Sequence, residues 1–137
     1  MLNILESTTF NSKLAEMEAS NPISLGVVGS RTFKDYHLLE STINEFRKTN
    51  TLSHIVSGGA AGADSLVRTY AEKHSIPMIE LKPDWKKYGK AAGFIRNADI
   101  IDESDIVLAF WDGESRGTLD SITKAKSKNT ECIVVRF

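Results

Sequence analysis

Apolar runs and polar, glycine-bearing turns alternate along the chain with two different periods. Ile23-Ser24-Leu25-Gly26-Val27-Val28 is almost entirely small or apolar, as a strand buried on both faces would be. Gly29-Ser30-Arg31 follows as a loop, and Leu38, Leu39, Ile43 and Phe46 then recur with the spacing of a helix over residues 35–48. His54-Ile55-Val56 predicts a second strand, Ala63 or Asp64 to His74 a second helix, and Pro77 to Leu81 a third strand. Residues 82–89 read as a polar, aromatic loop. Ala91, Ala92, Ile95, Ala98, Ile100 and Ile101 predict a helix over 90–101. Asp105 to Trp111 is the strongest strand. A loop over 112–118, a helix to Lys128 and a strand from Glu131 to Arg136 complete the series. Upstream, Leu5, Phe10, Leu14 and Met17 predict an N-terminal helical extension over residues 1–22, ended by Asn21-Pro22; a frayed leader is the other reading.

Strands alternating with helices about five times predict an α/β fold: a Rossmann-like, mostly parallel sheet of about five strands flanked by helices, over residues 23–137. Ligands of such sheets sit beyond the carboxyl ends of the strands, where the strand order reverses. The loops following strands, 29–33, 57–63, 82–89 and 112–118, are all rich in Gly, Ser, Arg, Lys or aromatic residues, so they form the expected functional face.

Composition adds bounds. A chain of 137 residues, 41% hydrophobic and 26% charged, suits one globular domain with a real core. The formal net charge of -1 argues against a protein dedicated to nonspecific nucleic-acid binding and makes a nucleic-acid partner unlikely, while leaving room for a local basic patch. Cys132 is the single cysteine and lies in a strand-like run, which favours a buried, inert thiol. No apolar stretch is long enough to span a bilayer, and the N-terminus lacks a basic start followed by an apolar core, so the expectation is a cytoplasmic protein without membrane contact. His37, His54 and His74 are scattered, and neither a metal-ligand spacing nor a Ser–His–Asp arrangement appears; no metal and no cofactor is expected.

The loops carry the candidate chemistry. In Ser57-Gly58-Gly59-Ala60-Ala61-Gly62-Ala63-Asp64, a strand empties through small residues into a helix start, where unpaired backbone N–H groups and the helix dipole favour an anion. The stretch matches neither a Walker A loop nor a dinucleotide fingerprint, since Ser57 holds the first glycine position when Gly59 and Gly62 take the others. Tight strand–helix packing selects the same small residues. Asp64 suits a helix cap, a ribose contact or a loop-orienting role. Gly29-Ser30-Arg31 places a planar guanidinium after a buried strand, for a phosphate or carboxylate, or else simply in solvent. Trp85, Lys86, Lys87, Tyr88 and Lys90 combine flat rings with cations, so a base could stack on Trp85 or Tyr88. Arg96 and Asn97 fall early on the 90–101 helix. Ser115-Arg116-Gly117-Thr118 is a second helix start, with Ser115 or Thr118 as its cap.

As an ordered set these motifs resemble the SLOG superfamily, in its branch of small YspA-like, YpsA-related proteins, over residues 23–137. The resemblance implies a Rossmann-like sheet and a pocket for a nucleotide or nucleotide-derived ligand. Relatives include the lonely-guy phosphoribohydrolases and the DNA-processing protein A family. The phosphoribohydrolases carry Pro-Gly-Gly-x-Gly-Thr-x-x-Glu; here Gly117-Thr118 matches its Gly-Thr, while Ser121 stands at the position of the Glu.

The expected site therefore comprises Gly29, Ser30, Arg31, Ser57, Gly58, Gly59, Ala60, Gly62, Asp64, Trp85, Tyr88, Lys90, Arg96, Asn97, Ser115, Gly117 and Thr118 around a nucleotide-like small molecule. Its first reading is a sensor or sequestering module. An N-glycosidic hydrolase is the second, with Arg96 orienting a nucleoside monophosphate and Asp120 or Glu114 supplying the carboxylate that such cleavage needs. Single-stranded DNA binding is the third. A homo-oligomer is expected, by pairing through helical faces.

Overall fold

The computed structural model describes residues 21–137. The predicted N-terminal extension falls almost wholly on residues 1–20, outside the described residues. The element order is β1 (Ile23–Gly29), α1 (Tyr36–Arg47), β2 (Leu52–Ser57), α2 (Ala63–Lys73), β3 (Met78–Glu80), α3 (Trp85–Tyr88), a 3₁₀ turn (Gly89–Ala91), α4 (Ala92–Asp102), β4 (Ile106–Trp111), α5 (Arg116–Ser127) and β5 (Glu131–Arg136).

The strands form one sheet in the order β3-β2-β1-β4-β5, every pairing parallel. Two-residue alternation divides the core. Leu25, Val27, Ile55, Leu108 and Phe110 pack on one face, against Leu39 and Ile43 of α1 and Val67 and Tyr70 of α2. Val28, Val56, Val107 and Ala109 pack on the other, against Ile100 and Ile101 of α4 and Ala125 of α5. Helices on both faces explain why the central strands read as continuous apolar runs.

From β1 the chain moves outward through β2 to β3, then crosses back to start β4 on the other side of β1. The gap beyond the ends of β1 and β4 is therefore the topological switch point, where diverging connections leave a crevice. Phe33, buried after β1, stacks on Phe110 with ring centroids 4.6 Å apart and anchors the departing loop.

The expected elements are present within one to a few residues, and one difference is substantive. The stretch 82–89, expected as loop, contains the single turn α3, because the Asp84 carboxylate accepts the Lys87 N–H at 3.0 Å and caps it. One turn carries no helical periodicity to read. Cys132 is half-buried on β5, and burial pushes its thiol pKa up. Among the described residues, no helix is long and apolar enough to cross a membrane.

Candidate functional site

A cavity of about 430 Å³ lies at the switch point. Four connections supply its walls. Gly29, Ser30, Arg31 and Thr32 come from the end of β1; Ala60 and Asp64 from the start of α2; Trp85, Lys90, Gly93, Phe94, Arg96 and Asn97 from α3 to α4; Asp112, Ser115, Gly117, Thr118 and Ser121 from β4 to α5. Val28 and Ile100 form part of its floor. The volume lies in the usual range for small-ligand sites.

The loops that form it are held rigidly. Ser30 is buried, donates its N–H to Phe110 O at 2.9 Å and accepts the Asp112 N–H on Oγ at 3.3 Å, which ties the β1 and β4 exits together. Gly62 has φ +77° and lies so close to the first loop that a Cβ there would collide with Ser30 O and come within 2.8 Å of Arg31 Cα. Glycine is thus required by both conformation and space. Asn97 is buried on α4 and donates to Gly117 O at 3.2 Å and to Asp120 Oδ2 at 3.1 Å, fixing α4 to the first turns of α5. Trp111 Nε1 donates to Ser115 O at 3.0 Å, and Asp112 Oδ1 accepts the N–H groups of Glu114 and Ser115, each at 2.8 Å. Ser115 is the cap of α5, its Oγ 3.5 Å from the Thr118 nitrogen.

Asp64 behaves differently from a cap. Gly62 occupies the cap position of α2 and makes no side-chain cap bond; Asp64 is the second residue of the helix, in its first turn, buried, and accepts the Ala60 N–H on Oδ2 at 2.8 Å. The orienting role among its expected roles is therefore the one its contacts match, and one donor of the 57–62 loop, expected to be unpaired, is already engaged. The Ser57 hydroxyl stands near the same carboxylate but outside hydrogen-bonding geometry, and is buried without a partner among the described residues. Burial pushes the Asp64 pKa above its ordinary value, while the Ala60 N–H and the Arg96 charge pull the other way. Arg96 is half-buried and donates from Nη1 to Gly58 O at 2.7 Å and from Nε to Asn97 Oδ1 at 3.1 Å. Burial lowers its pKa, the Asp64 charge opposes that, and the nearby Arg31 charge adds to it. Asp112 has the reverse sign: the N–H groups of Glu114 and Ser115 hold its carboxyl below the ordinary value.

Most of the expected site residues meet around this cavity. Gly58 and Gly59 line an adjoining hollow instead. Ser57, Gly62 and Tyr88 line neither, Ser57 and Gly62 being structural neighbours and Tyr88 an exposed ring beneath the Lys87 ammonium. Glu114 is exposed, and Asp120 is paired with Lys124 and Asn97; neither lines the cavity. The carboxylates that do are Asp64 and Asp112. Asp112 and Phe94 were not foreseen. Phe94 is 48% exposed and Trp85 55%, so the rim offers two uncovered aromatic faces. Phe94 stands seven residues before Ile101 on α4 and so reads as part of that helix's apolar stripe, which hid its place on the rim.

Known proteins share this fold and part of this sequence. Two structures of DNA processing protein A share the fold. The Helicobacter pylori protein, which has a single-stranded DNA binding mode, has a TM-score of 0.65 and 21% identity, over 82% of this chain and 65% of that one. The Streptococcus pneumoniae protein has a TM-score of 0.68 and 18% identity, over 87% and 54%. The chain thus spans less than two thirds of either. The expectation that a nucleic-acid partner is unlikely is withdrawn on this finding: a protein that shares this fold has a single-stranded DNA binding mode, and overall charge says little about where cations and ring faces are concentrated. The Gene 61 protein of Mycobacterium phage D29 is 30% identical over 107 residues, 73% of this chain and 86% of the phage protein. The model of the YspA, cpYpsA-related SLOG family matches residues 26–88, from the middle of β1 to the end of α3. With the phage relative extending the similarity through most of the chain, this protein belongs to the YspA, cpYpsA-related SLOG family.

Proposed function

We propose that this protein binds a nucleotide or nucleotide-derived phosphorylated ligand at the switch-point cavity, as a sensor or sequestering module. The observation that carries the reading is the convergence of two arginines, Arg31 and Arg96, and two part-exposed rings, Trp85 and Phe94, on one cavity whose floor is apolar. Guanidinium groups suit phosphate, and a flat ring suits a base. Binding is favoured over turnover because both lining carboxylates have structural duties: Asp64 holds the Ala60 N–H, and Asp112 holds those of Glu114 and Ser115.

Thermal shift and calorimetry with a panel of nucleoside monophosphates test this, with chromatography of the mixture for released base. Binding without released base is the expected result. Arg31 is exposed and makes no ion pair among the described residues, so Arg31→Ala should fold normally and weaken binding about tenfold or more. Base release would favour the hydrolase. Unchanged affinity in Arg31→Ala would remove the cavity from the reading.

A second reading, single-stranded DNA binding, draws on the solved structures and on the exposed Trp85, Tyr88 and Phe94 beside Lys86, Lys87 and Lys90. Stacking rings interleaved with cations are what a single strand requires. Affinity that rises with oligonucleotide length and falls steeply with salt would favour it over a mononucleotide site.

A further inference from the structure

A second hollow, of about 370 Å³, adjoins the main cavity and shares Arg31, Ala60, Trp85 and Arg96 with it. The two differ in chemistry. The main cavity has Val28, Phe94 and Ile100 in its walls; the smaller adds Lys82 to the two arginines and is otherwise walled largely by Gly58 and Gly59. Lys82 and Arg31 make no ion pair among the described residues, and the nearby Glu80 is engaged by Arg68. Three cations thus surround one small hollow, and the carboxylate acting on Arg96 is the buried Asp64, which lines the main cavity and not this hollow. Arg31 and Arg96 are close enough to repel each other, a cost that an anion between them would relieve.

We propose that this smaller hollow is a subsite for additional phosphoryl groups, so that the ligand is a nucleoside di- or triphosphate, or a similarly extended nucleotide, rather than a monophosphate. The inference rests on the nucleotide reading above. The nucleoside lies in the main cavity, where the apolar walls and ring faces are; the phosphate chain passes between Arg31 and Arg96, which border both spaces, and ends at Lys82. A second base is disfavoured there, because the hollow offers one shared ring and three charges that a base would bury without neutralising.

Calorimetry with the mono-, di- and triphosphates of adenosine, guanosine, cytidine and uridine, in EDTA, tests the subsite in the wild type, Lys82→Ala and Lys86→Ala. Lys82 and Lys86 are both exposed, and Lys86 lines neither space, so it controls for the general loss of one positive charge. In at least one base series, affinity should rise about tenfold or more from mono- to triphosphate. Lys82→Ala should erase most of that gain and leave monophosphate binding unchanged, while Lys86→Ala keeps the gain. A triphosphate no tighter than its monophosphate overturns the subsite and leaves the nucleotide site standing. A gain lost equally in both variants also overturns it, since the effect would then be a long-range field. Binding of no nucleotide in the panel overturns the subsite together with the nucleotide reading.

Discussion

The loops 57–62 and 112–118 follow the same plan, a parallel strand ending in glycine-bearing turns that open a helix, yet they treat negative charge in opposite ways. The first sends a carboxylate inward: Asp64 sits in the first turn of α2, buried, and engages the Ala60 N–H. The second keeps its carboxylate before the helix: Asp112 binds the N–H groups of Glu114 and Ser115, and the first turn of α5 carries no acidic residue. An incoming anion would therefore meet a buried acid at α2 and an uncommitted helix dipole at α5. Glycine content alone does not mark an anion site; what matters is which donors the chain has already used. On the nucleotide reading proposed above, the first phosphate would then meet Arg31, Arg96 and the start of α5 in the main cavity, while loop 57–62, packed against the β1 exit, would border only the further phosphoryl groups through Gly58 and Gly59.

The largest expected effect tests the supporting role. Gly62→Val should cost about 3 kcal/mol or more, because it combines an unfavourable positive φ with a collision against Ser30 O. Urea unfolding measures it. A loss below about 1 kcal/mol would mean that the 57–62 loop is not wedged against the β1 exit. Asp64→Ala comes next, at about 1–3 kcal/mol, since it leaves the Ala60 N–H unpaired and a half-buried Arg96 without its counter-charge. Stability unchanged by that substitution would break the contrast at its first member.

The two carboxylates also predict opposite pH dependences. The Asp64 pKa is raised in the folded chain, so between the unfolded and folded values the native state binds more protons. Stability from this group falls as pH rises through that window, and the penalty is complete above the folded value. The Asp112 pKa is lowered, so its contribution is present above the unfolded value and is lost as pH falls through the folded one. Unfolding free energies of wild type, Asp64→Asn and Asp112→Asn, taken between about pH 3 and pH 7, separate the two. The wild type's advantage over Asp112→Asn should grow as pH rises, and its advantage over Asp64→Asn should shrink. Slopes of the same sign would show that the loops are alike.

Much of the fold was legible in the sequence because alternation is a backbone property. Apolar runs such as Ile106–Trp111 and periodic stretches such as Tyr36–Arg47 announce themselves, and in a doubly wound sheet the loops after strands must converge on one edge. That is why residues as distant as Arg31, Arg96 and Thr118 were expected together and line one cavity. What was not legible depends on side-chain direction across the gap. Asp64 on a helix start reads equally as a cap or as an inward acid; only its contact with Ala60 N–H separates the two. Asp120 looked available as a carboxylate, but Lys124 one turn later pairs with it. Lys82 carried no motif and gains interest only from the hollow it borders.

The smallest expected effect bears on the other member of the comparison. Gly117 lies in the first turn of α5, and a Cβ there would meet nothing within 4 Å. Nothing in packing requires a glycine, in contrast to Gly62. Gly117→Ala should therefore leave stability unchanged or raise it by about 0.5 kcal/mol, as alanine favours the helix. Its residue nevertheless lines the cavity at the helix end where a phosphate would approach the backbone most closely. The substitution should weaken nucleotide binding several-fold while the melting temperature holds, a combination that a packing role would not produce. If Gly117→Ala bound nucleotide as tightly as the wild type, the start of α5 would not contact the ligand, and the asymmetry between the two loops would concern stability alone.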